Sequence, residues 1–475
     1  MDAKAFRALG HALVDWIADY REGLESRPVK SGAKPGDIKR MLPASPPQLG
    51  GLAASIPALL ESVVMPGITH WNHPRFFAYF PSNTSYASVL ADLVTAGLGV
   101  QGMSWQASPA ATEVEERMMD WLRQMVDLSE AWTGVIHDTA STATLCALLC
   151  ARERTTGLGQ ERQGLQCSEA PLVVYVSAES HSSVTKAVLL AGFGRAHLRS
   201  IETDDVQAMR PEALRAAVLA DRAAGLRPCA IVATVGTTAT TAMDPLEAIA
   251  EIAAENGVWL HVDAAMAGSA MILPEARHHW IGVERADSLV FNPHKWLGVG
   301  FDLSAYYCRD TRLLIAVMST NPSYLETAED GQVTNYRDWH IPLGRRFRAL
   351  KLWFQLLDVG VAGLQARLRR DLANAQWLAE QVADAPNWQL MAPVSLQTVC
   401  LRHAPNGWDE GQLKLHNLAL AERLNESGIA YLTPSLVKGR QLLRVSIGAE
   451  RTEHRHVEAL WRALQAAALA MCGAP

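Results

Sequence analysis

Residues 258–265 read Val258-Trp259-Leu260-His261-Val262-Asp263-Ala264-Ala265, a β-branched and apolar run that ends in an acid followed by small side chains. A run of this kind suits a strand covered on both faces, as in a mostly parallel sheet between helices. Its terminal carboxylate would sit in a low dielectric and needs a cationic partner. Taken alone, Asp263 reads as half of a structural ion pair. About one strand–helix–strand repeat later, the strand Ser288 to Phe291 runs into Asn292-Pro293-His294-Lys295-Trp296.

Working outward, further strands are expected at Leu172 to Val176 and Cys229 to Ala233, with helices at 139–153, 211–225 and 245–256. This alternation from about 134 to 310 predicts an α/β unit around a mostly parallel sheet. In such sheets ligands bind beyond the carboxyl ends of the strands. The residues just past those ends are Ser177-Ala178-Glu179-Ser180-His181, Thr234-Val235-Gly236-Thr237-Thr238, Asp263 and Asn292 to Trp296, so an imidazole, hydroxyls, a carboxylate and an amine should converge on one edge.

The flanks differ in character. Phe6, Leu9, Leu13, Trp16, Ile17 and Tyr20 recur at helical spacing over 3–27, and a second helix is expected over about 51–64. A Pro-rich stretch separates them. So short a segment could not bury its stripes alone, and residues 1–84 are therefore expected to form a helical arm that packs on a partner subunit. Residues 85–375 are read as the large domain, including a helix at about 345–375. Residues 376–475 are read as a small α+β domain with strands at Gln397 to Arg402 and Leu442 to Ile447 around a helix at Gln412 to Ser427.

Composition narrows the function classes. In 475 residues, 49% hydrophobic and 19% charged, neither disorder nor low complexity has support. With Lys+Arg 43 against Asp+Glu 49, no excess of positive charge draws the chain to nucleic acid or anionic membranes. The N-terminus lacks a basic-then-apolar leader, no apolar run is long enough to span a bilayer, and the seven cysteines include no CxxC pair. A cytoplasmic location with reduced thiols is expected. The adjacent His278-His279 and the pair His454 and His456 read as solvated side chains, and no metal is assigned. Gly192-Phe193-Gly194 is too short for a dinucleotide fingerprint, and no GxxxxGK[ST] occurs.

The pairing of Lys295 with Asp263 changes the reading of each. Pyridoxal phosphate requires a lysine for its aldehyde and a carboxylate for its pyridine nitrogen. It also needs an anion cradle, and Thr139-Ala140-Ser141-Thr142-Ala143-Thr144 opens an apolar helix where free N–H groups and hydroxyls meet. An ordinary N-cap explains the same residues when they are taken by themselves. His70-Trp71-Asn72-His73-Pro74-Arg75-Phe76-Phe77-Ala78-Tyr79-Phe80-Pro81 suits either core packing or a pocket for an aromatic side chain. Met318 to His340 is a long polar stretch, read as lying between a strand and a basic helix that holds Arg345-Arg346-Phe347-Arg348, and Tyr324 within it is a candidate proton donor.

Four motifs, Asn292 to Trp296, His261 to Ala270, Phe77 to Pro81 and Ile341-Pro342-Leu343-Gly344-Arg345-Arg346-Phe347-Arg348, closely resemble the group II pyridoxal-phosphate decarboxylases, specifically the aromatic-L-amino-acid (dopa) decarboxylases, with bacterial members nearest. The resemblance spans about residues 5–465. It implies a fold-type I, aspartate-aminotransferase-like homodimer using pyridoxal 5'-phosphate on an aromatic L-amino acid, L-dopa favoured, with 5-hydroxytryptophan, tryptophan, tyrosine and phenylalanine open. By position, Lys295 would hold the cofactor aldehyde, Asp263 its ring nitrogen, His181 would stack on the ring, and Thr238 would lie beside its 3'-oxygen. Thr139, Ala140, Ser141, Asn292 and His294 match the phosphate side, and Tyr324 matches the loop tyrosine that returns a proton. Trp71, Tyr79, Phe80, Ser82 and Gly344 match substrate-pocket positions, with Met103 offered by the other subunit. Animal members carry Gly-Ser where this chain has Asp138-Thr139, and Thr in place of Ser82. An aldehyde synthase, which has Phe at the loop tyrosine, and an aminotransferase are the rival enzymes on this scaffold.

Overall fold

The computed structural model describes residues 1–51, 53–164, 170–320, 329 and 331–472. They divide into two compact units, Met1–Pro81 with Gln376–Met391 and Cys400–Pro475, and Ser82–Ala375 with Ala392–Val399.

The larger unit is built on a seven-stranded sheet. Its strands are β1 (Thr133–His137), β2 (Leu172–Ser177), β3 (Leu198–Ile201), β4 (Arg227–Thr234), β5 (Trp259–Asp263), β6 (Ser288–Phe291) and β7 (Ser304–Cys308), in the order β1-β7-β6-β5-β4-β2-β3. Neighbours among β2 to β6 pair in parallel, whereas β7 runs antiparallel to both β1 and β6. The predicted α/β class and mostly parallel sheet are therefore present. The carboxyl ends of β1, β2, β4, β5 and β6 share one edge, where β7 begins.

The helix Ala140–Thr156 crosses one face of this sheet. Thr139 caps it, accepting from Thr142 N–H, and Gly157 closes it in the left-handed conformation. Its inward side chains are small, and Ala143, Ala147, Cys150 and Ala151 share one buried cluster with Val174, Val176, Val232 and Val290 of the sheet. Small residues let the helix axis lie close to the strands, and a larger one such as Leu148, fully buried, contributes about 1.5–3 kcal/mol. A polar strap fixes its register: Thr144 Oγ1 lies 3.2 Å from His261 Nε2, and His261 Nδ1 lies 2.9 Å from Ser288 Oγ.

The smaller unit carries a four-stranded sheet, ordered β10-β11-β9-β8, of β8 (Trp388–Leu390), β9 (Thr398–His403), β10 (Thr433–Val437) and β11 (Arg440–Ser446). Helices Glu410–Glu426 and His454–Cys472 belong with it. The former starts with a full capping box, Asp409 and Gln412 satisfying each other's backbone N–H groups. The N-terminal helix spans Ala3–Glu22 and continues as a tighter turn over Gly23–Ser26.

Several expectations need correction. The helix foreseen over 51–64 is a chain of short turns, Ala53–Ser55, Ile56–Leu59, Leu60–Val64 and Met65–Gly67, because Pro57 confines the helical start and Pro66 ends it. Arg345 to Arg348 is not helical. Its backbone pairs with residues 101–102 instead, and the long helix begins at Ala349 and reaches Asp384, with a non-helical Gly360 inside it. The polar stretch from Met318 follows a helix, Thr311–Met318, rather than a strand. His456 is buried against Glu25 and not solvated, whereas His454 is exposed. Among the described residues no helix is long and apolar enough to cross a membrane.

Candidate active site

Strand alternation decides what faces the Ala140–Thr156 helix. On β5, residues 259, 261 and 263 share a face. The Arg154 guanidinium lies 4.6 Å from the Trp259 ring, and Thr144 reaches His261, so moving along β5 toward its carboxyl end means moving toward the start of the helix. Asp263 therefore stands on the same face and at the same end as the helix N-terminus. Ser288 and Val290 on β6 obey the same alternation, which brings Asn292 to that edge, and Ser304 opens β7 beside it. Ser304 Oγ donates to Asn292 Oδ1.

Asp263 is buried, and its Oδ1 accepts from Ala265 N–H at 3.0 Å, which fixes the carboxylate at the strand end. The β4 turn is held against the next one. Gly236 has φ +86°, and a Cβ there would come within 2.4 Å of the Ala267 Cβ, so only glycine brings Thr237 and Thr238 this close. Thr237 is buried, with its hydroxyl accepting from Ala242 N–H, and Thr238 is exposed at the turn.

Lys295 lies on the short helical turn Pro293–Trp296 after β6 and is half-buried. That turn is anchored on both sides of the lysine. His294 Nδ1 accepts from Leu303 N–H at 3.0 Å, and Trp296 Nε1 donates to the buried Asp371 at 2.9 Å. Burial, helped by the charge of Lys295, pushes the His294 pKa down to about 3 and keeps the ring neutral. Ser82 Oγ donates to the His294 carbonyl at 3.2 Å.

His181 caps the Ser182–Leu190 helix, its Nδ1 accepting from Ser183 N–H, so the proton of the neutral ring sits on Nε2. Its pKa lies below the usual histidine range, chiefly through the protein packed around it. The Asp263 carboxylate opposes that shift and the Lys295 charge adds to it. The imidazole thus feels both the acid and the amine.

At the helix start Thr139 is partly exposed, Ala140 buried and Ser141 exposed, with Asp138 Oδ1 accepting from Thr139 N–H at 2.7 Å. Unbonded first-turn N–H groups, hydroxyls and the positive end of a helix dipole form a donor set suited to a phosphate. With an acid and an amine on adjacent strand ends and an imidazole beside both, these residues fit pyridoxal phosphate.

The remaining predicted positions fall into two groups. In the larger unit, Met103 and Gly344 are neighbours, since Gly102 N–H donates to the Arg345 carbonyl at 2.9 Å. In the smaller unit Trp71 stacks on Tyr79 at 5.4 Å between ring centroids, and Tyr79 OH lies 3.2 Å from Tyr431 OH. Tyr79 has φ 50°, and Arg444 Nη1 donates to its carbonyl at 3.3 Å while the guanidinium covers the Phe80 ring at 5.0 Å. Arg444 is therefore engaged by the Tyr79–Phe80 corner. Tyr324 lies outside the described residues. Ser304 and the Thr144–His261–Ser288 strap were not foreseen, although the alternation on β5 contained the signal for His261.

A family model described as the pyridoxal-dependent decarboxylase conserved domain matches residues 35–404. The aromatic-L-amino-acid decarboxylase of Bos taurus is 42% identical, with 98% of this chain and 96% of that one covered. A phenylacetaldehyde synthase of Arabidopsis thaliana is 40% identical, over 98% and 96%. The crystal structure of Oryza sativa TDC with PLP and tryptamine superposes with a TM-score of 0.95 at 39% identity, covering 99% of each chain. With the acid, amine, imidazole and anion cradle gathered on one sheet edge, these matches establish that the chain belongs to the group II pyridoxal-phosphate decarboxylases, within the aromatic amino acid family.

Proposed function

We propose that the protein removes the α-carboxylate of an aromatic L-amino acid, releasing carbon dioxide and the amine, with L-dopa its preferred substrate, and that it works as a cytoplasmic homodimer. The observation that carries this reading is that Asp263, Lys295, His181 and the helix start at Thr139 all follow the carboxyl ends of strands on one edge of a single sheet. When bound, pyridoxal phosphate supplies a protonated ring that accepts the electron pair released as a bond to Cα breaks.

The chain's residues take the following parts. Lys295 would hold the cofactor through its aldehyde carbon, and Asp263, its carboxylate fixed by the Ala265 N–H, would hold a proton on the pyridine nitrogen. His181 would lie against the ring and Thr238 beside the 3'-oxygen, while Thr139, Ala140, Ser141, Asn292 and His294 would hold the phosphate side. By the family resemblance, Trp71, Tyr79, Phe80, Ser82 and Gly344 are the positions assigned to the substrate, with Met103 assigned from the partner subunit. Tyr324 delivers a proton to Cα.

A second subunit is supported by apolar surface. On the helix Tyr86–Leu98, Leu90, Leu93, Val94 and Leu98 form an exposed stripe at helical spacing, and Phe6 and Val14 are exposed on the N-terminal helix. Sedimentation at working concentration should give a dimer. The deciding experiment is amine analysis on a panel of the five aromatic amino acids, with and without added pyridoxal phosphate and with no keto acid present. Dopamine should accumulate fastest, and a requirement for a keto acid would point to an aminotransferase.

The phenylacetaldehyde synthase relatives favour aldehyde synthesis as a second reading. Tyrosine at 324 supports the amine-forming one. Tyr324→Phe is expected to slow amine release by roughly a hundredfold, the low end of what a placed general acid contributes, and to raise aldehyde, ammonia and peroxide at the expense of dioxygen. An unchanged ratio of amine to aldehyde would remove Tyr324 from the mechanism.

A further inference from the structure

Outside the cofactor edge, two imidazoles and a thiol meet in the smaller unit. His403 ends β9, His416 lies on the helix Glu410–Glu426, and His403 Nδ1 is 2.8 Å from His416 Nε2. Cys472, at the end of the last described helix, brings its Sγ so that the three ligand atoms all lie within 4.8 Å of one another. Nothing in their spacing along the chain would have drawn attention to them.

The two histidines are held in place by the fold. Asn417, next to His416, accepts from the His403 backbone N–H at 2.9 Å and donates to the carbonyls of His403 and Leu413 at 2.9 and 2.8 Å, which ties the helix to β9. Trp388 packs on His403 at 4.9 Å, and Trp408 stands edge-on to His416 at 5.0 Å. Both rings are buried, whereas Cys472 is exposed. A buried pair of imidazole nitrogens with the sulfur of a surface cysteine beside it gathers three metal-ligating atoms in one place.

We propose that His403, His416 and Cys472 bind a zinc-type divalent cation with a fourth position open to solvent. Two nitrogens and one thiolate are a donor set for borderline-soft metals. Zn–N bonds of about 2.0–2.1 Å at tetrahedral angles place the nitrogens about 3.3 Å apart, so the pair must open by roughly half an ångström. Sulfur at about 2.3 Å from the metal stands about 3.6 Å from each nitrogen, so Cys472 moves in by at most about an ångström. One ring now donates to the other, so on binding that ring shifts its proton to its second nitrogen, and the Cys472 thiol releases its proton to solvent.

The test uses the chelator-treated holoenzyme titrated with Co2+ and then with Zn2+. One Co2+ per chain should give thiolate-to-cobalt absorption together with tetrahedral d–d bands, and Zn2+ should displace it. Cys472→Ser should abolish the thiolate band and weaken Zn2+ binding about tenfold or more, with decarboxylase activity unchanged. His416→Gln should weaken it further. If that buried variant fails to fold, Cys472→Ser still decides the matter from its exposed position. A parent protein without the thiolate band, or a Cys472→Ser variant that binds zinc as tightly as the parent, would overturn the proposal. Metal held instead by the His278–His279 pair would give that second result.

Discussion

Replacing Lys295 with alanine is expected to lower turnover by roughly a thousandfold or more, about 4 kcal/mol of transition-state stabilisation, and to remove the visible absorbance of covalently held cofactor. The turn that carries the lysine is also held by bonds that its amine does not make. Lys295 N–H donates to the Asn292 carbonyl at 2.9 Å, Trp296 is tied to Asp371, and Arg367 donates to the Trp296 carbonyl. Alanine suits a helical turn at least as well as lysine. Thermal unfolding of the variant without cofactor should therefore match that of the parent, and the loss should be chemical. His181 supplies an internal check. With the Lys295 charge gone, one of the influences holding its pKa down disappears, so its titration, followed by NMR, should move upward. Turnover and cofactor absorbance that both survive the substitution would refute the role given to Lys295.

The sheet was legible because its central strands are apolar and β-branched, and their ends carry the acid, amine and imidazole. Ser288 to Phe291 was read to the residue, and Leu172 to Val176 fell one residue short. What escaped notice depended on partners distant in sequence. β8 and β10 are short and partly exposed, so neither shows a strong period. Arg345 to Arg348 has a helical composition, yet Gln101 and Gly102 bond the backbone of Arg345, and the helix starts only at Ala349. The N-terminal periodicity correctly gave the Ala3–Glu22 helix but overextended it to residue 27, beyond Gly23. At the candidate site, chemistry and strand order together indicated Asp263, His181, Asn292 and Lys295. Ser82, Met103 and Gly344 came from motif resemblance alone, since no periodicity singles them out.

Arg345→Met is expected to destabilise the larger unit by about 3–5 kcal/mol, the range found when one partner of a buried ion pair is removed. Arg345 and Glu115 are each only 3% exposed in their side chains, and they meet in a two-pronged pair with Nη2 to Oε1 at 2.6 Å and Nη1 to Oε2 at 3.0 Å. The pair also satisfies β1: Glu115 Oε1 accepts from Ile136 N–H at 2.9 Å, and Arg345 Nη2 donates to the Ile136 carbonyl at 2.8 Å. The guanidinium lies over the Tyr336 ring, 4.7 Å from its centroid. Methionine would leave the buried Glu115 carboxylate with the Ile136 N–H as its remaining donor among the described residues. Because Ile136 leads through His137 and Asp138 into the cap at Thr139, the same change should loosen the anion cradle and weaken pyridoxal phosphate binding. Arg345→Met combined with Glu115→Leu should recover much of the stability, since an apolar pair often replaces a buried ion pair at little cost. Denaturant unfolding of the two single variants and the double variant measures the coupling. An Arg345→Met protein within about 0.5 kcal/mol of the parent, the range of an ordinary surface substitution, would mean that the pair does not hold β1 in place.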